Sequence, residues 1–137
     1  MIGYELNCRK CGYRLYFSHG ILMSFNKTNQ KLLEDMKNGE HGDKFKRLAN
    51  EFLGVKAYHS CELFRCTKCG ELSGEMVIEL LGEDNCVLAE KEHFCENCNS
   101  EMEMLDGRKN YRDYELTCPH CKEALNFLQP EVRVLAD

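Results

Sequence analysis

The sequence predicts a small, β-rich α+β protein: two short ribbons, with a helical hairpin inserted in the first. Three observations predict it. Four Cys-x-x-Cys pairs, Cys8/Cys11, Cys66/Cys69, Cys95/Cys98 and Cys118/Cys121, are spread along 137 residues. The segments that flank them alternate apolar and polar side chains, the period of a half-buried strand. Between the first two pairs, residues 28–53 switch to helical spacing.

The pairs come first, because they dictate the rest. Two residues between thiols let one tight turn aim both sulfurs at one ion, with Zn–S near 2.3 Å. Eight thiols in four pairs are the ligands of two tetrahedral four-thiolate sites, so the chain is read as two zinc ribbons holding two Zn2+ ions through Cys8, Cys11, Cys66, Cys69, Cys95, Cys98, Cys118 and Cys121. Structural zinc contributes about 10–16 kcal/mol of apparent binding free energy, against a domain stability of about 5–15 kcal/mol. Losing either ion is therefore expected to unfold its part of the chain.

The elements follow in order. Ile2, Tyr4 and Leu6 alternate into Cys8, and Tyr13–Phe17 returns as a second strand. Gly12 closes the first knuckle, since glycine takes positive φ without steric cost. Gly20 breaks the strand, and Ile21, Leu22, Met23 and Phe25 form a short apolar run. Thr28 is expected to cap a helix carrying Leu32, Leu33 and Met36 and ending at Gly39. Asp43 is expected to cap a second, with Phe45, Leu48, Ala49 and Phe52 on one face and Gly54 at its end. Tyr58–Arg65 and Glu75–Leu81 read as strands, and 82–85 as a turn. Cys86–Leu88 and Glu92–Phe94 read as short strands. Met102–Leu105 and Tyr114–Thr117 are expected to pair as a hairpin around Asp106-Gly107. The tail from Leu125 to Leu135 fits no single element, and Pro130 excludes a continuous helix. A weak internal repeat of strand, knuckle and strand runs through both halves.

Four pairs combine into two sites in three ways. Nineteen residues separate Cys98 from Cys118, inside the usual window for a four-cysteine site, whereas 25 separate Cys69 from Cys95. The spacing favours 95/98 with 118/121, and hence 8/11 with 66/69 across the helical insertion. The main rival crosses them, 8/11 with 95/98. The domains are accordingly 1–81, a ribbon with the insertion at about 28–53, and 82–137, a second ribbon. Lys122 stands where the first two knuckles have glycine, so the fourth is expected to turn differently or more loosely.

Composition bounds the function. The formal charge is −5, and two four-thiolate zinc sites at −2 each take it to −9. From Glu71 to Asp106 there are eleven acidic residues and one base, Lys91, a surface that repels phosphate. The N-terminus has no basic and apolar segments of a secretory signal, and no apolar run reaches the ~18 residues of a membrane span. A cytoplasmic, reducing location is expected, where such pairs bind metal rather than form disulfides. A saturated four-cysteine site leaves no position for water or substrate, so the metals are read as structural. Cys61 and Cys86 are left over and expected in the core. His59 lies two residues from Cys61, and His120 sits inside the fourth knuckle without being counted as a ligand. Three basic clusters, Arg9/Lys10/Arg14, Lys44/Lys46/Arg47 and Arg108/Lys109/Arg112, lie near Tyr13, Tyr16, Tyr111 and Tyr114. They would form a nucleic-acid surface only if they converged.

Cys8-Arg9-Lys10-Cys11-Gly12-Tyr13 and Cys118-Pro119-His120-Cys121 resemble the two metal-binding turns of rubredoxins, which implies a rubredoxin-like zinc-ribbon fold. The wider plan resembles small uncharacterised bacterial zinc-ribbon proteins, with an early Cys-x-x-Cys-Gly, an apolar stretch like Gly20–Phe25, a helix ending like residues 37–42, and late Cys-x-x-Cys pairs. That resemblance implies no activity. The expectation is a non-enzymatic protein with no catalytic residues, a structural zinc-binding module that binds another protein or regulates one. The alternatives are a nucleic-acid-associated ribbon and a rubredoxin-like iron electron-transfer protein.

Overall fold

A computed structural model of the chain describes residues 2–21, 25–105 and 111–131. Leu22, Met23, the Asp106-Gly107 turn, Arg108, Lys109 and the last residues of the tail lie outside them. The described elements are β1 (Ile2–Asn7), β2 (Arg14–His19), α1 (Phe25–Lys37), α2 (Asp43–Glu51), β3 (Lys56–Cys66), β4 (Leu72–Leu81), β5 (Val87–Glu90), β6 (Met102–Met104), a 3-10 turn (Tyr111–Tyr114) and β7 (Asn126–Glu131). A three-stranded sheet has the order β2-β1-β7, and a four-stranded sheet the order β5-β4-β3-β6. The fold is thus β-rich α+β with two helices, as the alternation predicts.

The chain divides into two compact units, each built from several stretches of the sequence. Of the described residues, one comprises those in 2–20, 61–75 and 92–131, the other those in 21–60 and 76–91. β3 and β4 each contribute residues to both.

The first unit holds all eight paired cysteines. Its core is Leu6, Phe17, Leu63, Leu72, Leu105, Tyr111 and Leu116. Phe17 stacks on Tyr4 with ring centroids 5.3 Å apart and meets Tyr111 edge-on at 5.2 Å. The tail becomes β7, antiparallel to β1 with Asn7 opposite Asn126 and Leu6 opposite Phe127. The register slips between Gly3 and Glu5, so Pro130 falls at a bulge on an edge strand, where a missing N–H is tolerated. β6 pairs with β3, not with residues 114–117: Cys66 faces Met102 and Phe64 faces Met104. The expected hairpin is lost because 111–114 coil into the 3-10 turn and Thr117 bridges Ala124 instead.

The second unit packs α1 and α2 with β4 and β5 around Leu32, Met36, Phe45, Ala49, Ala57, Ile78, Leu80 and Ala89. α1 begins at Phe25, earlier than a Thr28 cap allows. It ends as predicted at Gly39, φ 88°, where Gly39 N–H donates to Met36 O at 3.1 Å and Glu40 N–H to Asp35 O at 3.0 Å. That paired arrangement satisfies the last carbonyls. The cap of α2 is Gly42 rather than Asp43, which is the first helical residue and places a carboxylate at the positive end of the helix. α2 stops at Glu51, so Phe52 takes an extended conformation and stays 46% exposed, outside the expected apolar stripe.

Candidate metal centres

All four Cys-x-x-Cys segments fold into the same turn. The N–H of the first cysteine donates to the carbonyl five residues on: Cys8 to Tyr13 (2.8 Å), Cys66 to Glu71 (2.7 Å), Cys95 to Ser100 (2.8 Å) and Cys118 to Glu123 (2.7 Å). The N–H of the residue after the second cysteine returns to the first cysteine's carbonyl, from Gly12, Gly70, Asn99 and Lys122 at 2.7–3.3 Å. That residue has positive φ every time: 81°, 79°, 60° and 68°. The fourth knuckle is therefore not a different turn. Lys122 accepts the left-handed conformation, and its Nζ donates to Pro119 O at 3.1 Å and Cys69 O at 3.4 Å.

The turns point backbone N–H groups at sulfur. Each second cysteine receives the N–H of the residue two further on: Cys11 from Tyr13, Cys69 from Glu71, Cys98 from Ser100, Cys121 from Glu123. Cys66 Sγ accepts the N–H groups of Lys68 and Cys69, both at 3.4 Å. Such donors stabilise a thiolate over a thiol and orient it for a metal. The first cysteine of every pair is buried: Cys8, Cys66, Cys95 and Cys118 are at most 3% exposed.

The eight thiols form two groups, Cys8/Cys11/Cys118/Cys121 and Cys66/Cys69/Cys95/Cys98, each with its sulfurs within 4.8 Å of one another. Cys8 and Cys121 approach to 3.4 Å, Cys11 and Cys118 to 3.5 Å, Cys66 and Cys98 to 3.4 Å, and Cys69 and Cys95 to 3.5 Å. A disulfide would require about 2.05 Å. A tetrahedron with metal–sulfur bonds near 2.3 Å places sulfurs about 3.8 Å apart, so each group fits one ion.

This corrects the predicted pairing. Neither 8/11 with 66/69 nor the crossed rival occurs; one site is nested inside the other. The cause is strand register. β1 runs into the first knuckle and pairs with β7, which leaves the fourth; β3 runs into the second and pairs with β6, which follows the third. The spacing rule assumes that a site's two knuckles are consecutive in the chain. The second site obeys that order with 25 intervening residues, and the first encloses it. The two turns that resemble those of rubredoxins are the ones that meet.

As free thiols, the tetrads are electrostatically divided. The Ser100 hydroxyl and then its N–H hold Cys98 down to about 6, while burial first of all pushes Cys95 up to about 11. The Cys11 N–H leads in holding Cys8 down to about 7. At Cys11 the Tyr13 N–H favours the thiolate, but the Cys118 sulfur, burial and Cys8 outweigh it, and the thiol rises to about 12. Four sulfurs this close cannot all ionise without a cation among them, and a soft divalent ion is the species that this donor set suits. The role of Ser100, and of Asn97, whose amide reaches Cys69 Sγ at 3.8 Å, carried no sequence signal beyond adjacency to a cysteine.

The remaining candidates lie elsewhere. His120 is exposed and meets Tyr13 edge-on at 4.9 Å, outside either tetrad. His59 is fully buried, with Nδ1 2.6 Å from Asn29 Oδ1. Cys61 is half-buried and its thiol is raised by that burial; Cys86 is exposed, not core, and is raised by the Asp84 carboxylate. Both shifts oppose thiolate formation. Lys10 pairs with Glu123 at 3.1 Å, Arg14 with Glu5 at 3.5 Å and Arg47 with Glu51 at 3.3 Å. Tyr111 is buried in the core, which Tyr114 also packs against. Among the described residues no helix is long and apolar enough to cross a membrane.

No family model, curated protein or solved structure matches the chain. The two tetrads fit tandem zinc-ribbon-like sites on their own geometry, and the chain carries the features of a structural metal-binding module.

Proposed function

We propose that this protein is a cytoplasmic, non-enzymatic module, stapled by two structural zinc ions, that binds another protein. One observation carries the reading: each tetrad already supplies four sulfurs to one point, so a tetrahedral ion there has no position left for substrate or water. The raised thiols of Cys61 and Cys86 argue against a cysteine nucleophile. A protein partner is supported by the large apolar side chains left at the surface, among them Phe94 and Met104, each 52% exposed. A nucleic-acid partner is disfavoured, since Lys10, Arg14 and Arg47 are each engaged by a carboxylate.

The test is elemental analysis of protein purified without chelator, combined with thiol alkylation. The reading expects two equivalents of zinc, with the eight tetrad thiols protected in the loaded protein and Cys61 and Cys86 slow to alkylate because both thiols are raised. Iron in either tetrad, visible as colour, would replace the structural reading with electron transfer.

A further inference from the structure

A cleft of about 310 Å³ opens beside the second tetrad. Its floor is apolar: Leu72 and Met102, 4% and 8% exposed. Its lip is Phe94, which belongs to neither hydrophobic cluster, whereas the adjacent His93 packs on Phe64 with ring centroids 4.4 Å apart. Its rim carries Glu71, Glu75 and Glu96. Three other carboxylates of the same unit are paired with a base: Glu5 with Arg14, Glu103 with Arg65, Glu123 with Lys10. The three rim carboxylates have no ion-pair partner among the described residues; the Ser73 hydroxyl donates to Glu75 Oε1 at 2.6 Å. Cys95 also lines the cleft, so a loaded four-thiolate centre adds a formal −2 behind it.

We propose that this cleft docks an arginine or lysine side chain presented by an extended segment of a partner protein. The inference rests on the interaction-module reading above and names the partner's chemistry. An apolar floor beneath an acidic rim matches a side chain with an aliphatic stem and a cationic head. The stem lies on Leu72 and Met102, the head reaches the carboxylates, and the face of Phe94 is offered to the cation. Arginine fits better than lysine, because its planar fork engages carboxylates in pairs and stacks on aromatic rings. Phosphate-bearing ligands are repelled by the same charges.

The experiment is fluorescence anisotropy on the zinc-loaded full chain with three labelled peptides of equal length: one with arginine and lysine, one neutral, one rich in glutamate. The basic peptide is expected to bind tightest. Glu75→Gln with Glu96→Gln is expected to weaken it about tenfold, and Phe94→Ala about threefold to fivefold. Metal content of two equivalents certifies that each variant is folded, and the glutamine pair decides if Phe94→Ala loses metal. Binding of the basic peptide that the folded variants leave unchanged overturns the proposal. Displacement of that peptide by an equal charge of spermidine also overturns it, by making a free polyamine the ligand. Preference for the neutral or acidic peptide removes this proposal but leaves the interaction reading standing, and binding of none of the three counts against both.

Discussion

Replacing Gly74 with alanine tests the packing that positions the tetrads. Gly74 lies in β4 with ordinary φ, so the backbone tolerates alanine; space is the obstacle. A Cβ built there lies 2.8 Å from Phe17 Cβ and 3.5 Å from Phe17 Cα, whereas ordinary contact begins at 3.4 Å. Something has to move by about 0.6 Å. The clashing atom is next to the backbone of β2, so no rotamer change relieves it. Phe17 is 5% exposed and held between Tyr4 and Tyr111, which leaves its strand little slack. Overpacking of this kind costs about 1–3 kcal/mol. Gly74→Ala is therefore expected to lower the melting temperature of the metal-loaded protein by about 3–10 °C. Gly3→Ala is the control: nothing lies within 4 Å of its Cβ, and its effect is expected within about 0.5 kcal/mol. The assay is calorimetry with metal content measured before and after. A Gly74→Ala protein as stable as the parent would refute the reasoning, because it would mean that β2 and the start of β4 do not approach as described.

Three further outcomes follow from the same geometry. Gly12→Ala meets no side chain but keeps φ near +81°, so it is expected to cost about 1 kcal/mol by strain alone, read as a lower denaturant midpoint of the loaded protein. In the other unit Glu79 faces Glu90 across β4 and β5, and burial first, then Glu90, raises the Glu79 carboxyl. The folded state therefore holds that proton more tightly than the unfolded chain, its carboxylate is unfavourable at neutral pH, and the penalty fades as pH falls through the raised value; Glu90→Lys is expected to stabilise by about 0.5 kcal/mol at pH 7 and by less in acid, in parallel melts. Metal affinity is expected to fall with pH: below about 6, the value to which Cys98 is lowered, that thiol too is protonated, and each proton the ion must displace costs about tenfold per pH unit, measurable by chelator competition between pH 5 and 8.

The parts of this fold written in local sequence were legible. Alternation around Cys8 and Cys66 located β1, β2, β3 and β4, and glycine at positions 12, 39 and 70 marked turns that need positive φ. What failed was non-local. Nothing in Asn126–Glu131 announces a partner for β1, and Pro130 hides the strand unless the bulge is known. Without that pairing the nested sites cannot be chosen over consecutive ones. Lys122 carries no glycine signal for positive φ, yet the same two backbone bonds that fold the turns at Gly12 and Gly70 also fold the one at Lys122. Phe52 matched a helical stripe by spacing but fell one residue past the helix end. The cleft below Phe94 was invisible, since its walls come from β4, the third knuckle and β6, separated in the chain and brought together by the four-stranded sheet, the Phe94–Glu101 bridge and the second tetrad.

The nested pairing is the central claim, and it can be measured directly. Protein loaded with 113Cd gives a scalar coupling between each ion and the β-protons of its own cysteines. One cadmium is expected to correlate with Cys8, Cys11, Cys118 and Cys121, and the other with Cys66, Cys69, Cys95 and Cys98. A cadmium that couples to Cys8, Cys11, Cys66 and Cys69 together would contradict the account.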